Sequence, residues 1–258
     1  VAEQNLAAVA SGLAASGKIP VISSYAVFSP GRNWEQIRTT ICLNNQKVIV
    51  AGSHGGVSVG PDGATHQALE DIALMRVLPR MTVIVPCDAI EARKATMAAF
   101  SNEIPGPVYI RLARENTSII TTEETPFEVG KANIFYRTQI NADGEDADKR
   151  GLNISVHQRD NLRASASSVG IIVIGAMTAR AIRAAAELEK EGVSVSVMNL
   201  GTVKPIDEKA VIDFAKDCGA IVTAETHQVA GGMGSAVAEL LSANYPVPIE
   251  FVGVKDQF

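Results

Sequence analysis

Five short runs, KVIVAGS, MTVIVPC, PVYIRLA, VGIIVIGAM and AIVTAET, are apolar or β-branched nearly from end to end, with no polar residue at every second place. A strand built that way buries both faces, which happens inside a parallel sheet covered by helices on either side. Between and around these runs the spacing turns helical, in QNLAAVASGLAAS, AIEARKATMAAF, TARAIRAAAELEKEG and IDEKAVIDFAKDCG. Strand and helix in alternation predict an α/β protein with doubly wound parallel sheets.

The chain has 258 residues, beyond the commonest size of one domain, so two such sheets are expected. The first domain is placed at 1–127 and the second at 169–258, with 128–168 as a linker. Its texture changes most between Tyr136 and Ser168, a polar, turn-rich stretch with one short strand at LNISV. Within the first domain PVISSYAVF is expected as a strand and GRNWEQIRTTICLNN as a helix opening near Asn33. The spacing also predicts a helix from Gly63 to Leu78, closed by Pro79, and Asp88 as the cap of the helix that follows it.

A formal net charge of −5 and the lack of any basic stripe exclude a nucleic-acid backbone as partner. No apolar run is long enough to span a bilayer, and the beginning of the chain lacks the pattern of a signal peptide. Cys42, Cys87 and Cys218 are scattered and odd in number, which fits reduced cytoplasmic thiols and neither a disulfide framework nor a zinc site.

Polar chemistry gathers in SHGGVSVGPDGATHQALEDIALMRVLPRMTVIV, from Ser53 to Val85, between two buried strands. Open α/β sheets bind ligands at such strand ends. His54, Asp62 and His66 suit a polyhydroxylated ligand, although the same residues also make an ordinary turn and helix start. Gly60 and Gly63 let the backbone come close to a ligand. Tyr25 and Phe28 in SSYAVF pack a core or line a pocket. Arg114 in LAREN is a surface ion-pair residue or an anion ligand, and Arg111, three places earlier on the strand, faces elsewhere. Glu3 at a helix start complements the helix dipole. GG-M-G at Gly231, Gly232 and Gly234 is a weak phosphate-loop pattern, and His227 is structural.

The segments VAEQNLAAVASGLAASGKIPVISSYAVF, GSHGGVSVGPDGATHQALEDIALMRVLPRMTVIVPCDAIEA and PVYIRLAREN resemble the pyrimidine-binding domain of transketolase. The unit from Val169 resembles the C-terminal domain of the same family. Among its members, the likeness is closest to C-terminal subunits of transketolases whose chain is split over two genes.

The resemblance implies a thiamine-diphosphate enzyme moving a two-carbon ketol unit between sugar phosphates. It implies that Glu3 contacts the aminopyrimidine ring and shares a proton with it, which activates the cofactor's nucleophilic carbon. Phe28 then stacks on that ring with Tyr25 beside it. His54 and His66 serve the carbonyl and hydroxyl end of the donor with proton shuttling, Asp62 holds a neighbouring hydroxyl, and Arg114 grips the sugar phosphate. The GDG-type motif with a following asparagine, which binds the diphosphate through Mg2+ or Ca2+, does not occur here.

The diphosphate and its metal are therefore expected on an N-terminal partner subunit, in an α2β2 assembly, with no metal ligand on this chain. The family's first strand and helix, and its last helix, are expected to be lacking from the two ends. Within the same chemistry the alternatives are a deoxyxylulose phosphate synthase-like protein or the β-type subunit of a 2-oxo-acid dehydrogenase. A non-catalytic scaffold of the same fold is the alternative outside it.

Overall fold

The structure is a computed structural model and describes residues 2–137 and 169–258. The strand expected at LNISV lies outside the described residues. In the first half the order is α1 (Glu3–Ala15), β1 (Val21–Tyr25), α2 (Trp34–Gln36), β2 (Ile49–Ser53), α3 (Asp71–Arg76), β3 (Thr82–Ile84), α4 (Ala89–Ala99) and β4 (Val108–Arg111). The second half has β5 (Asn133–Arg137), β6 (Val169–Val173), α5 (Met177–Lys190), β7 (Val195–Asn199) and β8 (Thr202–Lys204). It closes with α6 (Glu208–Cys218), β9 (Ala220–Gln228), α7 (Met233–Asn244) and β10 (Ile249–Val254).

Two five-stranded sheets result, in the orders β1-β2-β4-β3-β8 and β10-β9-β6-β7-β5. Within each, four strands are parallel and one edge strand is antiparallel, β8 against β3 and β5 against β7. The expected α/β architecture is present, with each sheet mixed at one edge. β8 lies between β7 and α6 in the chain, yet completes the first sheet, so the two halves are interlocked. β5 falls within the stretch 128–168 expected as a linker and is instead an edge strand of the second sheet.

Apolar side chains from both sheets share one core, in which Met81, Val83 and Val85 meet Ile172, Ile174, Met198 and Leu200. Side-chain caps start two of the described helices. Asp88 caps α4 by accepting the Glu91 N–H at 2.9 Å, and Asp207 caps α6 through the Ala210 N–H at 3.1 Å.

The helix expected over Gly63–Leu78 is shortened to Asp71–Arg76. Before it, Val57–Asp62 turns as a 3-10 segment broken at Gly60 (φ 71°), and Gly63 (φ 69°) starts another turn. Two left-handed glycines around Pro61, which lacks an N–H, cannot hold an α-helical ladder. After α2 the backbone widens into a π-helix over Ile37–Cys42, so the helix expected from Asn33 exists in a different winding.

Candidate active site

Tyr25 and Ser53 are paired at the carboxyl ends of the parallel strands β1 and β2. The crevice beyond them is where the cluster forms. The Tyr25 ring stacks on His54 with centroids 3.9 Å apart and planes 14° from parallel. His66 meets Tyr25 edge-on at 6.1 Å and Phe28 edge-on at 5.3 Å. Side chains at positions 25, 28, 54 and 66 thus share one aromatic cluster.

His54 has φ 59°, a left-handed conformation uncommon for a residue with a Cβ, and such strain is often found at functional sites. Its orientation is set by a chain of donors. Ser53 Oγ donates to the Ser24 carbonyl at 3.2 Å, so it accepts from His54 Nδ1 at 3.1 Å. That assigns the proton to Nδ1 and leaves Nε2 as an acceptor. His66 Nδ1 stands 2.9 Å from Thr65 Oγ1, which also lies 3.4 Å from the Asp62 carbonyl.

Glu3 opens α1 and its side chain is 8% exposed. Arg32 reaches its carboxylate at 3.2 Å while lying over the Phe28 ring, 4.8 Å from the centroid. Arg32 therefore joins Glu3 to the aromatic cluster. Asn33 beside it donates to the Glu3 backbone carbonyl at 2.9 Å and to Ser29 Oγ at 3.1 Å.

Arg114 is exposed and lies against the loop, for a Cβ on Gly60 would stand 3.5 Å from its Nη1. Asp62 is exposed on that loop and outside the ring cluster. Arg111 indeed faces elsewhere. It is buried, pairs with Asp71 at 2.8 Å, and reaches Thr226 of the second half through its Oγ1 at 3.1 Å and its carbonyl at 2.9 Å.

The geometry adds Arg32, Asn33 and Arg111 to what the sequence suggested. For Arg111 a signal existed, because a charge within the buried strand VYIR requires a partner. For Arg32 and Asn33 none did, since the turn that brings them back to Glu3 has no periodicity. The glycine run near α7 is not an open anion site. The Glu225 carboxylate accepts the Met233 and Gly234 N–H groups at 2.7 and 2.8 Å, and a Cβ on Gly232 would fall 2.4 Å from it. His227 is buried and structural, with Nδ1 bonded to the Gln228 carbonyl at 2.7 Å and Nε2 accepting the Ala73 N–H at 3.3 Å. Among the described residues no three His, Cys, Asp or Glu form a group able to hold a metal, and no helix is long and apolar enough to cross a membrane.

Two mainly parallel α/β sheets, with an acid, an aromatic pair and two imidazoles gathered beyond the strand ends of the first, make this an α/β protein with a candidate ligand site. The chain belongs to the transketolase family. Residues 1–119 match the family model "Transketolase, pyrimidine binding domain" and residues 160–257 match "Transketolase, C-terminal domain". The 6-deoxy-6-sulfo-D-fructose transketolase subunit SqwH of Clostridium sp. (strain MSTE9) is 38% identical over 258 residues, all of this chain and 71% of the relative. An apulose-4-phosphate transketolase subunit of Phocaeicola vulgatus is 32% identical, over all of this chain and 73% of the relative. A solved structure described as "Split gene transketolase, inactive beta4 tetramer" matches with a TM-score of 0.82 and 42% identity, covering 100% of this chain and 74% of that one.

Proposed function

We propose that this chain is the pyrimidine-binding and C-terminal subunit of a two-subunit transketolase, moving a two-carbon ketol unit between sugar phosphates. One observation carries the reading. Arg32, a flat cationic group, lies against the Glu3 carboxylate and over the Phe28 ring at once. A planar aminopyrimidine needs those same two neighbours, an acid at its edge and an aromatic face, so the residues fit the ring of thiamine diphosphate. Arg32 is 52% exposed and is free to move aside without unpacking the core.

When bound, thiamine diphosphate supplies the carbon nucleophile. In this reading Glu3 holds the proton shared with the pyrimidine edge, while Phe28 and Tyr25 fix the plane of the ring. His54 and His66 present Nε2 to the carbonyl and hydroxyls of the donor and take or return their protons. Asp62 orients a further hydroxyl, and Arg114 meets the phosphate from the far side of the Gly60 loop.

The diphosphate and its Mg2+ or Ca2+ belong, in this proposal, to the partner subunit, within an assembly holding at least two copies of each. A cytoplasmic setting is part of the same reading, supported by three reduced, buried cysteines. The relatives named above are described with different sugars, so the sugar read by this pocket is settled by assay. The test is reconstitution. Mixed with the complementary subunit, thiamine diphosphate and Mg2+, the chain is expected to restore ketol transfer from a ketose phosphate to an aldose phosphate. Full transfer by this chain without any partner, or none with it across a panel of sugar phosphates, overturns the proposal.

A further inference from the structure

The loop carrying His54 and His66 is not held by its own half of the chain alone. It is closed at its base, where Gly55 bridges Ala68 as an isolated β pair and the Gly56 N–H reaches the Ala68 carbonyl at 2.9 Å. Arg111 Nη2 donates to that same carbonyl at 3.1 Å. On the next residue, the Leu69 carbonyl accepts the Gln228 N–H at 2.7 Å from the end of β9 in the second half.

Arg111 itself is clamped from two sides. Its Nε donates to Asp71 Oδ2 at 2.8 Å, an oxygen that also accepts the Tyr109 hydroxyl at 2.6 Å. Its other two nitrogens reach Thr226. The glycines beside His54 leave room for this assembly. A Cβ on Gly55 would lie 2.7 Å from Arg111 Nε, one on Gly56 2.5 Å from Thr226 Oγ1, and one on Gly52 2.4 Å from the Tyr109 hydroxyl. These contacts account for Gly52, Gly55 and Gly56 without any ligand.

We infer that Arg111 is a positioning residue that fixes the spacing of His54 and His66, and that Thr226 makes this spacing depend on the C-terminal half. Arg111 is almost fully buried and tied to a carboxylate that the Tyr109 phenol holds in turn, so its guanidinium does not wander. The Ala68 carbonyl that it holds lies two residues beyond His66 and pairs with the residues directly after His54. Losing the Thr226 hydroxyl frees one end of the guanidinium while the bond to the Thr226 carbonyl remains, so the group can tilt about that bond and the Asp71 bond, and the loop base tilts with it. The C-terminal half then acts on the donor end of the site without touching substrate.

The inference rests on the assignment of His54 and His66 to the donor, and the experiment separates the two. Thr226→Val removes one hydroxyl and leaves the Arg111–Asp71 pair intact, whereas Thr226→Ser keeps the hydroxyl. In the assembled enzyme T226V is expected to lower kcat/KM for the donor ketose about tenfold, the loss of one partly buried bond to a charged group. The half-saturating thiamine diphosphate concentration stays unchanged, and T226S restores the rate. In the chain alone, imidazole resonances of His54 and His66, assigned with H54N and H66N variants, are expected to shift in T226V and return in T226S. Arg111→Lys, which cannot span Asp71, Thr226 and Ala68 at once, gives the larger shift of the same kind. A T226V chain with a lower melting temperature but unmoved resonances and unchanged kcat/KM overturns the inference. Moved resonances with unchanged kcat/KM support the positioning role and instead overturn the assignment of the two histidines to the donor.

Discussion

The Asn33 side chain donates to the backbone carbonyl of Glu3 at 2.9 Å, bridging 30 residues of chain. The first turn of α1 is thereby fixed to the turn that carries Phe28 and Arg32. Asn33 is fully buried, so the bond is shielded from water, and the acid and the ring face move as one unit. The spacing of Glu3 and Phe28 is in this way set through the Glu3 backbone, not through its carboxylate.

Asn33→Asp keeps the shape and removes the donor. It is expected to cost about 1–3 kcal/mol of stability, since the Glu3 carbonyl loses a buried partner. In the assembled enzyme the half-saturating thiamine diphosphate concentration is expected to rise about tenfold, the equivalent of about 1.4 kcal/mol. Titration of cofactor into the mixed subunits measures this. A stability loss with unaltered cofactor affinity would confine Asn33 to folding.

Glu3→Gln tests the acid itself. The amide still fills the space beside Arg32 but cannot exchange a proton at neutral pH. Turnover at saturating cofactor is expected to fall roughly a hundredfold or more, the scale of a lost acid–base group. Pre-steady-state mixing with the donor sugar distinguishes this from weaker binding. Unchanged turnover removes Glu3 from the chemistry.

Much of the fold was legible because a strand buried on both faces has to be apolar along its length, as in KVIVAGS and VGIIVIGAM. The strands that escaped are edges. Thr202–Lys204 is three residues long and finds its partner in β3, more than a hundred residues earlier, so nothing local marks it. Asn133–Arg137 sits at the border of a polar stretch, and its place is decided by pairing with the outer hydrogen-bonding edge of β7. For the site, the residues and their spacing pointed to His54, Asp62 and His66, while Glu3, Tyr25 and Phe28 were singled out only through the resemblance to transketolases. Arg111 and Thr226 were invisible as a pair because their contact spans the two halves, and only the folded chain shows that they meet.

Two glycines are expected to respond to alanine with opposite signs. Gly56 has φ 89°, and a Cβ there would stand 2.5 Å from Thr226 Oγ1, so G56A combines backbone strain with a clash at the domain junction. A loss of about 2–4 kcal/mol is expected. Gly12 lies within α1 with nothing within 4 Å of its added Cβ. There alanine restricts the unfolded chain without meeting a neighbour, and G12A is expected to stabilise by about 0.5–1 kcal/mol. Urea unfolding of the two variants beside the parent measures both. A stable G56A would mean that the junction yields more readily than its hydrogen bonds imply.

Glu91 joins the two halves by accepting the Cys87 N–H at 2.6 Å and the Asn199 amide at 2.9 Å. Burial pushes its carboxyl above the ordinary range, and those two donors oppose the shift without cancelling it. The folded state therefore holds the proton more tightly than the unfolded one. Linkage then requires stability from this group to be complete at a pH below the ordinary carboxylate value, and to be lost as pH rises from that value through the raised one. Glu91→Gln cannot ionise and lacks this loss. The stability of E91Q relative to the parent is expected to improve as pH rises from the ordinary carboxylate range through the raised one, whichever of the two is more stable at the acid end. Urea midpoints of both proteins across that range give the difference directly. A difference that stays flat with pH would show that Glu91 has the same proton affinity folded and unfolded, and that its two donors fully offset the cost of burying it.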